Sequence, residues 1–182
     1  MTIIAKPKIC VFAGASMPSD PAIIDAAYDL GTQIGAQGFD LIYGGGRTGV
    51  MGAVSSAAQD AGAGIIAITL RQYAHKEQLP TAQVTVVETE LERFHLFRAQ
   101  SPVAKFVLPG GPGSLREALQ GLETAVYEQG APVVLVNVGD YLAGIKMYYE
   151  QALGIGLIAE PFRDCLRTWQ PFSPIGAVLP TR

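Results

Sequence analysis

Charge is scarce in this chain. Asp, Glu, Lys and Arg make up 16% of its 182 residues, and the formal net charge is −3. No basic run and no interleaving of aromatic with basic residues occurs, so a nucleic acid polymer is not an expected partner; its phosphates call for clustered cations. Long apolar runs are missing too. Nothing approaches the roughly 18 consecutive apolar residues that a spanning helix needs, so no membrane partner is expected. Cysteine is nearly absent: Cys10 and Cys165 stand far apart, without CxxC or CxxH companions, which argues against a disulfide framework and a metal site. The two histidines, His75 and His95, form no HxxxH or HxH set and read as surface residues, His95 at most at the rim of a site. Residues 1–8, ahead of the first strand pattern, are too short for a signal peptide. With Cys10 read as a buried reduced thiol, the expected compartment is the cytoplasm.

What the chain does have is apolar residues, 49% of the total. That content excludes a disordered chain, and the length favours one domain over residues 1–182. Short apolar runs alternate with helix-period segments: strands over 9–13, 39–43, 65–70, 84–87, 106–108 and 133–136. Helices are expected from Pro21 to before Gly38 (Ile23, Ala27, Leu30 and Ile34 inward) and after Gly49 (Val50, Val54, Ala57 and Ala61 inward). Others follow over 90–100, after Ser114 (Leu115, Ala118, Leu119, Leu122 and Val126 inward) and over 141–153. Such alternation implies βαβ units: a Rossmann-like, doubly wound parallel sheet with helices on both faces. Periodicity fades in 157–182, which reads as an irregular C-terminal extension anchored by Trp169.

In a parallel sheet every strand ends at one edge, so loops that follow strands gather there. Three such loops carry glycine: Gly14-Ala15-Ser16, Gly44 to Gly49, and Gly110 to Ser114. The last two lead into helices, where backbone N–H groups and the helix dipole favour an anion. Two such cradles on one edge suggest a phosphate or phosphosugar. Tight strand-to-helix turns are the plainer alternative. The spacing Gly44-x-Gly46-x-x-Gly49 formally matches a dinucleotide fingerprint, but it follows the second strand, and Arg71 stands where a ribose-binding acid would be needed. No Walker phosphate loop and no serine nucleophile elbow is present.

Four blocks together resemble the Lonely Guy family. Pro109-Gly110-Gly111-Pro112-Gly113-Ser114-Leu115-Arg116-Glu117 is similar to its PGGxGTxxE signature, and Tyr43 to Gly52 to its YGGGxxGLMG block. Cys10 to Ser16 echoes the opening CVFxGSS, and Ala131 to Asn137 the later KPVxLLN. The likeness runs from about Lys8 to Ile158. It implies a hydrolase that cleaves a nucleoside 5′-monophosphate to free base and ribose 5-phosphate, without metal or organic cofactor, and a homodimer. The older lysine decarboxylase-like label finds no support, since none of the lysines lies in a glycine loop. Three positions depart from the pattern. Ser114 replaces Thr. The Met-x-x-Arg-Lys block falls on Glu90-Leu91-Glu92-Arg93-Phe94, keeping only its Arg. Gln120 stands where a second carboxylate is common.

By this resemblance Glu117 is the catalytic carboxylate and Arg93 the cation for phosphate or ribose. A carboxylate beside the sugar can stabilise the oxocarbenium character of N-glycoside cleavage, and a guanidinium fork suits anionic oxygens. Each has a bland alternative. Ser114-x-x-Glu117 also reads as a capping box, and Arg93 could pair with Glu90 or Glu92 on a helix surface. Gly14, Gly45, Gly46, Gly49, Gly110, Gly111 and Gly113 are the expected phosphate-binding glycines. Thr48 and Ser114 would offer hydroxyls to phosphate or simply cap helices; Ser16 would touch base or ribose, and Arg98 could share the Arg93 role. Met51 reads as core. The rival function is a non-catalytic carrier of a nucleotide or phosphorylated cofactor.

Overall fold

A computed structural model describes residues 6–76 and 78–180. Residues 1–5 of the leader reading and 181–182 of the single-domain reading lie outside the described residues. The elements run β1 (Lys8–Phe12), α1 (Pro21–Ala36), β2 (Asp40–Tyr43), α2 (Gly49–Asp60), β3 (Ile65–Leu70), β4 (Gln83–Val87), α3 (Glu90–Ala99), β5 (Ala104–Val107), α4 (Pro112–Tyr127), β6 (Val133–Val136), α5 (Ala143–Gly154) and β7 (Leu166–Trp169). They form one seven-stranded sheet in the order β4-β3-β2-β1-β5-β6-β7, and every pairing is parallel. This is the Rossmann-like α/β fold that the sequence implies.

Two apolar layers flank the sheet, as buried parallel strands require. On one face α1 (Ala26, Ala27, Leu30, Ile34) and α2 (Val50, Ala53, Val54, Ala58) pack with Trp169 and Ile175. On the other, Phe97 of α3, Ala118, Leu122 and Val126 of α4, and Ile145, Tyr149 and Leu153 of α5 cover Cys10, Phe12, Val107 and Leu135. Helix starts have local causes. Pro21 is at the head of α1, with the Asp20 carboxylate accepting from the Ala22 N–H at 3.0 Å. Thr89 and Glu92 form a reciprocal capping box for α3.

Three expectations need correction. The 157–182 segment is not irregular throughout: β7 pairs in parallel with β6, Val133 opposite Leu166 through Val136 opposite Trp169. Its Arg167 and Thr168 broke the apolar pattern, as an edge strand tolerates. Trp169 does anchor it, 1% exposed, with its indole N–H donating to the Ser173 carbonyl. Second, Leu115 and Leu119 are each 46% exposed. Ala118, Leu122 and Val126 do face inward as expected, joined by Ser114, Glu117, Gly121, Thr124 and Ala125, whose small members let the helix lie close to the sheet. Third, Ser114 is not a cap. Gly111 holds that position, Pro112 starts the helix, and no side chain caps it.

The chain leaves β1 to build the sheet outward through β2, β3 and β4, then returns to place β5 on the other flank of β1. The β1–β5 junction is therefore the switch point, where the ends of parallel strands open a crevice.

Candidate active site at the switch point

A cleft of about 540 Å³ occupies that junction, a volume suited to a small-molecule ligand. Its floor is the meeting of two loops. A Cβ placed on Gly14 would lie 3.2 Å from the Gly110 Cα, so the turns after β1 and β5 approach this closely only without side chains. The loop after β2 closes a third side, with the Gly46 N–H 3.1 Å from the Met51 Sδ. Neither α2 nor α4 has a side-chain cap at its head. Residues at both helix heads line the cleft, Val50 and Met51 of α2 and Gly113 and Ser114 of α4, where a helix dipole favours an anion; in α2 the Met51 N–H already donates to the Gly14 carbonyl at 2.9 Å.

Ten of the expected site residues line this cleft: Gly14, Ser16, Gly45, Gly46, Arg93, Gly110, Gly111, Gly113, Ser114 and Glu117. Thr48 and Gly49 work behind the lining. The Thr48 hydroxyl donates to the Ala15 carbonyl at 3.0 Å. Gly49 has φ +60°, and a Cβ there would sit 2.3 Å from the Ser16 carbonyl oxygen. Both residues lock the β2 loop to the β1 loop. Arg98 is not brought to the cleft; it pairs with Glu128 in a separate depression beside Lys105. His95 is also outside the lining. Met51, expected in the core, packs partly there but lines the cleft as well. Arg71, which stands in place of the acid of a dinucleotide fingerprint, is tied to Glu88 at 2.6 Å.

The charged centre consists of Arg93 and Glu117. The Arg93 Nη1 lies 2.8 Å from the Glu117 Oε1, and both side chains are only 11% exposed. The Arg93 Nε donates to the Ile68 carbonyl at 3.0 Å, and its guanidinium lies 5.1 Å from the Phe97 ring centre. These contacts hold the fork in one orientation. Burial pushes the Glu117 carboxyl above the ordinary range; Arg93 opposes that rise and Glu90 reinforces it. Neither bland alternative holds alone, since Glu117 caps nothing and Arg93 reaches beyond Glu90 to a buried acid. Glu90 in turn lies 2.5 Å from Arg116.

Sequence reasoning did not find Tyr73, Lys76, Arg116 and Tyr141, which also line the cleft. One signal was available, at two strands. Tyr141 follows β6, and the strand-end rule applied there would have found it; its hydroxyl donates to the Gly110 carbonyl at 2.7 Å. Tyr73 and Lys76 follow β3 in the same way, and the Lys76 ammonium sits 4.8 Å from the Tyr73 ring centre. Arg116 had no signal of its own. Among the described residues no cluster of His, Cys, Asp and Glu could hold a metal, and no helix is long and apolar enough to cross a membrane.

The sequence model of the SLOG cluster4 family matches residues 6–155. The chain is 32% identical over 164 residues to the cytokinin riboside 5′-monophosphate phosphoribohydrolase LOG3 of Arabidopsis thaliana, covering 87% of this chain and 75% of that one. It is 34% identical over 161 residues to the probable cytokinin riboside 5′-monophosphate phosphoribohydrolase LOGL3 of Oryza sativa subsp. japonica, covering 86% and 75%. Among solved structures, the molybdenum cofactor carrier protein of Chlamydomonas reinhardtii superimposes with a TM-score of 0.70 at 22% identity, covering 96% of each chain. That last likeness speaks to fold alone. Matched over most of its length by family and relatives alike, and carrying the glycine loops and the Arg93–Glu117 pair in one cleft, this chain belongs to the Lonely Guy (LOG) family.

Proposed function

We propose that the protein hydrolyses the N-glycosidic bond of a nucleoside 5′-monophosphate. The substrate is AMP or an adenine nucleotide modified on its amino group, such as a cytokinin riboside monophosphate, and the products are free base and ribose 5-phosphate. The observation that carries this reading is the buried Glu117 carboxylate, held by Arg93 at 2.8 Å in the cleft that the glycine loops also line. The two LOG relatives are named for this reaction.

In this reading the 5′-phosphate rests on the glycine loops, and the ribose lies beside Glu117. As the bond from anomeric carbon to base nitrogen lengthens, its electron pair leaves with the base and positive charge grows on the sugar. The Glu117 carboxylate opposes that charge and accepts hydrogen bonds from ribose hydroxyls that tighten in the transition state. Water adds to the anomeric carbon, and its released proton neutralises the departing base. Arg93 opposes the rise that burial imposes on this carboxyl and so favours its ionised form. No metal is required.

The protein acts in this reading as a cytoplasmic homodimer. Leu115 and Leu119, one turn apart on α4, and Leu91 on α3 are all exposed and offer apolar surface for a second copy. Light scattering tests that part.

The second reading is a carrier of a nucleotide or phosphorylated cofactor. Its support is the absence of a second acid at Gln120, the Phe94 replacement, and the fold shared with the Chlamydomonas carrier. Incubation with AMP and with isopentenyladenosine monophosphate, followed by chromatography of released base, separates the two. Release that vanishes in Glu117→Ala supports the hydrolase; binding without release supports the carrier.

A further inference from the structure

Glu90 occupies the first turn of α3, where the family block quoted above has Met, and it lines the cleft. One oxygen of its carboxylate lies 2.5 Å from the Arg116 Nη2. The other lies 3.5 Å from the Arg93 Nη1, the same nitrogen that holds Glu117 at 2.8 Å. Arg93 cannot swing toward either acid freely, because its Nε is fixed to the Ile68 carbonyl at 3.0 Å. One guanidinium nitrogen therefore serves two carboxylates from a set position.

We propose that Glu90 is a positioning residue of this cleft: anchored by Arg116, it shares Arg93 with Glu117 and so sets how firmly the Glu117 carboxylate is held. The inference rests on the reading of Glu117 as the working carboxylate. The groups facing Glu117 are Arg93 and Glu90 from α3, Arg116 from its own helix, and the Cys10 thiol from β1. Burial keeps that thiol neutral. The balance is therefore struck among two arginines and one competing acid.

Opposite substitutions then have opposite effects. Glu90→Gln removes a repelling charge, releases Arg93 to Glu117, and leaves Arg116 unneutralised; all three favour the ionised Glu117. Arg116→Gln removes a cation and leaves Glu90 uncompensated, which disfavours it. Glu90 and Arg116 are 38% and 47% exposed along their side chains, so neither change opens the core.

The test is a carbon-13 carboxyl titration of the whole protein by NMR, with the Glu117 resonance assigned by its loss in Glu117→Gln. The Glu117 midpoint moves down by roughly half to one pH unit in Glu90→Gln and up in Arg116→Gln. Midpoints equal to wild type in both variants, or moving in the same direction, overturn the proposal. Base release by wild type is assayed in parallel. An inactive wild type removes the hydrolase reading, while the two titration shifts still decide the role of Glu90.

Discussion

Gly14 and Gly110, on loops that follow adjacent parallel strands, meet in tight contact: a Cβ on Gly14 would lie 3.2 Å from the Gly110 Cα, and Gly110 has no room for a methyl group at all. A Cβ on Gly110 would stand 2.3 Å from the Ser114 Oγ and 2.9 Å from the Gly14 nitrogen. Those atoms belong to the proposed phosphate cradle. Gly110→Ala is expected to cost about 1–3 kcal/mol of stability through overpacking and to weaken nucleotide binding. Urea unfolding and calorimetric titration with AMP measure the two effects, and an alanine variant with wild-type affinity would contradict the cradle.

Arg93 and Glu117 are expected to fail separately and differently. Glu117→Gln keeps the shape and removes the charge, so kcat falls on the order of 100- to 1000-fold, as for loss of one preorganised electrostatic contact. Arg93→Met leaves a buried carboxylate unpaired and is expected to lower stability by about 3–5 kcal/mol. Arg93→Lys recovers little, since one ammonium cannot serve Ile68 and Glu117 from a single fixed plane. Steady-state kinetics and thermal unfolding of the three variants check this pattern.

Lys105 supplies a pH dependence remote from the cleft. Its ammonium donates to the Gly121 carbonyl, the Thr124 hydroxyl and the Ala131 carbonyl at 3.1, 2.7 and 3.1 Å, all neutral acceptors. Burial lowers its pKa from 10.5 to about 8. Between those values the unfolded chain binds more protons than the folded one, so stability rises with pH across that window. Raised thiols and phenols such as Cys10 and Tyr149 act in the opposite sense, so the Lys105 contribution is read as the difference in unfolding free energy between wild type and Lys105→Met, which should grow in favour of wild type from pH 8 to 10.5.

Trp169 joins the last strand to the core, its ring edge-on to Phe106 with centroids 6.0 Å apart. Trp169→Ala is expected to cost about 3–5 kcal/mol. Truncation after residue 156 goes further, since it strips β7 from β6 and leaves a fully apolar strand, Val133–Val136, as an open edge. Such an edge invites pairing with other chains, and sedimentation should show aggregates.

Much of this architecture is legible before any coordinates because buried parallel strands are near-continuous apolar runs. Ile65–Leu70 falls within the expected bounds for that reason. The β7 strand is not, because Leu-Arg-Thr-Trp has no such run and takes its place only by pairing with β6. Glycine loops at strand ends locate the cleft, and the family blocks single out Glu117 and Arg93. The contacts among Arg93, Glu117, Glu90 and Arg116 are different in kind. They join two helices that no periodicity brings together, so the orientation of α3 over α4 had to be known first. The same holds for Arg98, whose carboxylate partner Glu128 lies on the far part of α4's C-terminal turn.

We propose that this cleft cleaves the bond between base and ribose and that Glu117 is needed for it. The most direct measurement is the simultaneous quantification of free base and ribose 5-phosphate formed from AMP and from isopentenyladenosine monophosphate. Wild type and Glu117→Gln are compared at equal concentration. Wild type is expected to form the two products in equal amounts over many turnovers, and the variant at least a hundredfold less. Tight nucleotide binding with neither product formed, or equal release by both proteins, would contradict it.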